Sequence, residues 1–128
     1  MLILMGRTAS GKTLVSDKLV KNHGFNSVVT YTTRPIRKCE IPNVTYHYIS
    51  EEDFLQKIEN SFFAEWKKYT TADGIWYYGS AKEDYEKADE NSVIILTPDG
   101  IRNIQKLGYD VTVIYLYSNI STINKRLA

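Results

Sequence analysis

The chain opens on an uninterrupted apolar run, Leu2-Ile3-Leu4-Met5, the pattern of a strand covered on both faces. The apolar period then lengthens: Leu14, Val15, Leu19 and Val20 recur at helical spacing among Ser16, Asp17, Lys18 and Lys21, and Gly24 supplies a stop. Ser27-Val28-Val29-Thr30-Tyr31 reads as a short strand, and Tyr46-His47-Tyr48-Ile49 alternates as a further one would. Ser50 is placed to cap a helix in which Phe54, Leu55 and Ile58 share a face and Glu51, Glu52 and Asp53 favour the first turn. Phe62 to Trp66 and Trp76 to Ser80 predict two strands around a polar turn at Thr70 to Gly74. A charged helix over Ala81 to Glu90 follows, with Tyr85 and Ala88 inward, and then the continuous apolar strand Val93-Ile94-Ile95-Leu96. Ile101, Ile104 and Leu107 mark a helix ended by Gly108; Val111 to Tyr117 is a strand, and Ile120, Ile123 and Leu127 begin a last helix. This order predicts an α/β fold, a parallel sheet flanked by helices with a small antiparallel insertion at about 32–80.

Composition narrows the picture. A length of 128 residues predicts a single domain, and a net charge of +1 gives no global field to attract nucleic acid or an anionic membrane. Cys39 is the only cysteine, which excludes an internal disulfide and fits the cytoplasm. No apolar run approaches the ~20 residues of a membrane-spanning helix. His23 and His47 have no partner at metal-ligand spacing and read as structural.

The chemistry begins where the first strand ends. Gly6-Arg7-Thr8-Ala9-Ser10-Gly11-Lys12-Thr13 fits the phosphate-loop pattern G-x-x-x-x-G-K-[ST], between a predicted strand and a predicted helix as that motif requires. Glycines at both ends let backbone N–H groups turn in around phosphate oxygens, and the helix N-terminus adds its unpaired amides and dipole. The pattern predicts Lys12 as a catalytic cation that would reach the β- and γ-phosphates, and Thr13 as the residue that would ligate Mg²⁺. A second basic spot follows: Arg34 and Arg37, in Thr32-Thr33-Arg34-Pro35-Ile36-Arg37-Lys38, lie just beyond a strand end. Two guanidinium forks suit a second phosphate, which they bind bidentately.

At this point the chain resembles guanylate kinase, a P-loop nucleoside-monophosphate kinase, from Leu2 to Leu127. The carriers are the phosphate loop, the Thr32 to Arg37 element followed by Glu40 and Tyr46, then Glu65-Trp66, then Tyr77-Tyr78-Gly79-Ser80. The resemblance implies that ATP is the phosphate donor and GMP the acceptor, that catalytic Arg34 and Arg37 hold the GMP phosphate with Tyr46 and Tyr78, and that Thr30 and Ser80 line that pocket. It implies that Glu65 accepts hydrogen bonds from guanine N1–H and the exocyclic amine, where adenine offers no matching pair. Two alternatives stay open: a ribose bisphosphate phosphokinase-like enzyme, and a non-catalytic guanylate-kinase-like module that captures a phosphorylated peptide.

The pattern is broken in places. Proline comes one position early in the Arg34 element, and Cys39, Asn43 and Thr45 replace the family's residues. Ile95 and Thr97 stand where the family carries two aspartates; Asp99 is placed to substitute for one or to cap the following helix. Arg126 matches only the first arginine of the family's R-L-x-x-R, so the arginine-bearing lid and last strand are expected to be absent, whether from a shortened relative or a fragment. On that reading the chain binds nucleotide phosphates but turns over slowly.

Overall fold

A computed structural model describes residues 1–6 and 12–116, with Lys12 and Thr13 described for their backbone only. Strand β1 (Leu2–Gly6) leads to helix α1 (Lys12–His23), then β2 (Asn26–Ser27), β3 (Tyr31–Thr32), β4 (His47–Tyr48) and α2 (Glu51–Glu59). A hairpin of β5 (Phe63–Thr71) and β6 (Gly74–Ala81) follows, then α3 (Lys82–Lys87), β7 (Ser92–Ile95), α4 (Pro98–Lys106) and β8 (Thr112–Leu116). The chain divides into two compact units, Val29–Lys87 and the residues on either side of it. The predicted last helix, with Ile120, Ile123 and Leu127, lies outside the described residues.

The first unit is the parallel sheet, in the order β2-β7-β1-β8. β1 lies between β7 and β8, with Ile3 opposite Ile94 and Val113. Ile3, Leu4, Val93 and Ile94 are buried, which is why these two strands read as unbroken apolar runs. α1 packs on β1 and β7 through a narrower stripe than its sequence predicts. Ser16 is buried and Val15 and Leu19 half-buried, whereas Leu14 and Val20 are exposed. α4 buries Ile101 and Ile104 and leaves Leu107, its C-cap, exposed. Gly108 beyond it takes a φ of +82°, the left-handed conformation of a helix stop.

The second unit, Val29–Lys87, is a sheet in the order β4-β3-β6-β5, with β3 parallel to β4 and antiparallel to β6. α2 begins as predicted: the Ser50 hydroxyl accepts from the Asp53 N–H at 3.1 Å. Phe54 enters the core and Leu55 stays exposed, so the helix faces the sheet through Phe54 and Ile58. Phe54 stacks on Phe63 with ring centroids 4.4 Å apart and meets Tyr77 at 5.2 Å. Gly79 permits this approach, since a Cβ there would come within 2.8 Å of the Phe63 ring and 3.1 Å of the Phe54 ring.

Two predicted elements change form. Ser27 to Tyr31 is two strands, because the backbone changes partners within it: Val28 N–H donates to Val93 O, whereas Thr30 O accepts from His47 N–H. The hairpin is longer than its apolar signal, pairing out to Thr71 opposite Gly74, so its turn is tighter than Thr70 to Gly74. Near its other end a β-bulge falls between Phe63 and Glu65: Phe63 pairs with Ala81, but Glu65 pairs with Ser80. In a regular strand these residues, two apart, would share a face. The bulge sends Phe63 to the core and Glu65 to the opposite side, beside Tyr78 and Ser80.

Candidate active site

The strand–helix order around the phosphate loop is present: β1 ends at Gly6 and α1 starts at Lys12. Of the residues assigned to ATP phosphates, Arg7, Thr8, Ala9, Ser10 and Gly11 lie outside the described residues, as do the side chains of Lys12 and Thr13. Gly6 therefore stands at the end of a central parallel strand, where α/β sheets bind ligands.

The residues assigned to the acceptor all lie in the second unit. Side chains alternate along β6, so Tyr77 and Gly79 face α2 while Tyr78 and Ser80 face away. Arg34, just after β3, is 5% exposed yet fully charged, and its surroundings explain how. Its guanidinium grips Glu40 bidentately, Nη1 to Oε1 at 3.0 Å and Nη2 to Oε2 at 2.9 Å. Nη1 also donates to Pro35 O at 3.2 Å, and Nε to the Tyr78 hydroxyl at 3.0 Å. The Tyr46 ring lies 5.4 Å from the guanidinium carbon, in cation–π range, and 5.8 Å from the Tyr78 ring. Since Arg34 uses the oxygen of Tyr78, the phenol proton remains available for an anion.

Glu40 collects two further donors on Oε1, the Arg37 backbone N–H at 2.8 Å and the Tyr48 hydroxyl at 2.8 Å. The Arg34 hydrogen bonds, helped by these two, hold its pKa down at about 2. Glu40 in turn raises that of Arg34, and Tyr48 is pushed up to about 12, first by burial and then by its bond to Glu40. Arg37 is exposed and enters this network through its backbone. Glu40 and Tyr48 have no assigned role in the sequence reading. Their signals are the one acidic residue after a run of cations, and a tyrosine two positions from Tyr46 on an alternating strand.

On the same side of the sheet, Glu65 is half-buried, and burial raises its pKa while the Ser80 hydrogen bond opposes the shift. Ser80 Oγ donates to Glu65 Oε1 at 2.8 Å and lies 2.8 Å from the Tyr85 hydroxyl. Glu65 thus keeps carboxylate capacity for an external donor pair. Thr30 is half-buried before β3 and contributes its carbonyl to His47; it is not joined to the Glu65–Ser80 pair. The two groups have complementary chemistry: guanidinium and phenols for an anion, a carboxylate for paired N–H donors.

The positions of the family aspartates have other duties here. Ile95 ends β7, and Thr97 is the N-cap of α4, its hydroxyl accepting from Gly100 N–H at 3.2 Å. The cap is therefore Thr97 and not Asp99, which sits in the first turn paired with Arg102 at 2.6 Å. The overlooked signal is Pro98: proline favours the first helical position, which makes the preceding residue the cap.

A parallel sheet with a strand–helix junction after β1, together with a second, mixed sheet, is the architecture expected of a P-loop nucleoside-monophosphate kinase. Over 98% of its length the chain superposes on the crystal structure of guanylate kinase from Anaplasma phagocytophilum, covering 64% of that chain, with a TM-score of 0.76 at 22% identity. The family model for guanylate kinase matches residues 1–128, and the chain belongs to that family. It is 37% identical over 111 residues to the guanylate kinase of Wolinella succinogenes, covering 82% of this chain and 49% of the relative. Against that of Helicobacter hepaticus it is 35% identical over 97 residues, covering 74% and 46%. The chain thus spans about half the length of these curated relatives.

Proposed function

We propose that this protein transfers the γ-phosphate of ATP to GMP, giving ADP and GDP. The donor phosphates lie on Gly6 to Thr13, with Lys12 beside the β- and γ-phosphates. The GMP phosphate takes the Tyr78 phenol proton, Arg34, Arg37 and Tyr46, and Glu65 reads the guanine N1–H and amine beside Ser80 and Thr30. The transfer is an in-line displacement between phosphates, carried by positioning and charge neutralisation without a covalent intermediate. Thr13 would hold Mg²⁺, which neutralises charge on the β- and γ-oxygens when bound. A hydroxyl at a phosphate-loop helix suits this ion, which takes few protein ligands and keeps most of its shell as water and phosphate oxygen. No helix among the described residues is long and apolar enough to cross a membrane. With an exposed, unpaired Cys39, the cytoplasm is the proposed compartment and nucleotides the proposed partners.

The observation that carries this reading is the placement of Glu65, turned by a bulge onto the face that bears Tyr78 and Ser80. Neither ribose bisphosphate transfer nor phosphopeptide capture needs a half-buried carboxylate there, and the named relatives favour neither. Calorimetric titration with ATP–Mg²⁺, GMP, AMP and ribose bisphosphate, followed by a product assay, tests it. GMP should bind in preference to AMP, Glu65→Gln should erase that preference, and Lys12→Ala should weaken ATP far more than GMP. Preference for ribose bisphosphate, or unchanged base selectivity in Glu65→Gln, overturns the reading.

A further inference from the structure

Behind the carboxylate assigned to the guanine lies a residue that recognition of the base does not itself use. Tyr85, on the first turn of α3, is 5% exposed, and its hydroxyl reaches Ser80, which is completely buried. Ser80 has one proton and gives it to Glu65 Oε1. In the 2.8 Å contact with Tyr85, Ser80 must then be the acceptor and Tyr85 the donor. Reversing the chain would turn the Ser80 proton away and set an oxygen lone pair against a carboxylate oxygen 2.8 Å distant.

We propose that Tyr85 is a positioning residue for the acceptor base: by donating to Ser80 it commits the serine proton to Glu65, which holds that carboxylate ionised and oriented to accept from the ligand. The proposal rests on the reading of Glu65 as the base-binding group. Hydrogen-bonded hydroxyls in series polarise one another, so the Tyr85 bond strengthens the Ser80–Glu65 bond in the ionised state. Burial works the other way at Glu65, favouring the neutral acid, which has an O–H where guanine needs an acceptor. Among the described residues, the groups on the Glu65 side of the sheet are Lys67 on its own strand, Tyr78 and Ser80 from β6, and Tyr85 from α3. A phenylalanine at position 85 would fill the same space in the core and supply no proton.

The test is the carboxyl titration of Glu65, followed by ¹³C NMR on the full chain without nucleotide, in parallel with GMP affinity across the same pH range. Tyr85→Phe should move the Glu65 midpoint up by about 0.3–0.7 pH unit and weaken GMP on the acid side by roughly two- to fivefold. With Ser80→Ala already in place, adding Tyr85→Phe should produce no further shift. An unchanged midpoint in Tyr85→Phe, or the same shift with and without Ser80, overturns the proposal. Should Tyr85→Phe fail to fold, 3-fluorotyrosine at position 85, a stronger donor, should lower the midpoint, and an unchanged one again overturns it. If the wild-type chain does not bind GMP at all, the base-binding reading fails, while the nucleotide-free titration still decides whether Tyr85 acts on Glu65.

Discussion

On the proposed function, the two units would recognise phosphate by different physical means. In the flanking unit β1 and β7 carry a buried apolar core, and the proposed donor site falls at the junction between β1 and α1, where the phosphate-loop sequence would offer mainly backbone N–H groups. In Val29–Lys87 the sheet has two unlike faces, one packed on Phe54 and the other lined by Tyr78, Ser80 and Glu65. Main-chain amides offer any polyphosphate the same donors, whereas side chains on a pleated face can be chosen one by one. On the proposed function, generality would belong to the first unit and selectivity to the second.

The largest expected effect breaks the second unit alone. Phe54→Ala removes a fully buried ring from the centre of its core and should cost about 3–5 kcal/mol. The chain's two tryptophans, Trp66 and Trp76, both lie in this unit, so their fluorescence in a urea titration reports it selectively. Acceptor binding should be lost and ATP binding kept; equal loss of both would mean the units do not work independently.

A smaller effect separates selectivity from scaffold. Arg34→Ala should cost roughly 1.5–3 kcal/mol of acceptor binding, the scale of charge-assisted hydrogen bonds. The same pair produces a signature in pH. Glu40 titrates at about 2 in the folded chain against 4.5 ordinarily, so its stabilisation is complete above about 4.5 and drains away as pH falls towards 2. Glu40→Gln should flatten that acid limb in urea midpoints measured from pH 6 to 3; a limb of undiminished slope would assign it to other carboxylates.

The smallest sharpens the contrast from the other side. Thr97→Ala removes the cap of α4, in the flanking unit, and should cost about 1 kcal/mol. Circular dichroism should register the loss while tryptophan fluorescence does not; the Ser50→Ala change in α2 should register in both.

Much of this was legible in the residues, for reasons specific to each place. β1 and β7 are covered on both faces, so nothing interrupts their apolar runs, and the Ser50 cap has its own local signature. The resemblance assigned Glu65 and Ser80 to the acceptor, but what sets them side by side is a bulge, a single unpaired residue that leaves no mark in an apolar–polar pattern. The division of Ser27 to Tyr31 was hidden because both halves are extended and differ only in their partners. Glu40 was hidden because a carboxylate among cations looks like a solvated charge until the fold shows Arg34 to be buried.

The strand order has a consequence for how copies of the chain behave at high concentration. β5 closes its sheet on one side, leaving one flank of a nine-residue strand without a strand partner among the described residues. Such a flank is a template on which another molecule can extend the sheet. Lys68, exposed near the middle of that strand, sets an ammonium group beside the edge. A second copy approaching edge to edge in antiparallel fashion brings its own Lys68 towards it, and must strip water from both before its backbone hydrogen bonds form there. Lys68 thus gives the exposed flank a colloidal defence near its midpoint, where Trp66 would otherwise present an apolar foothold.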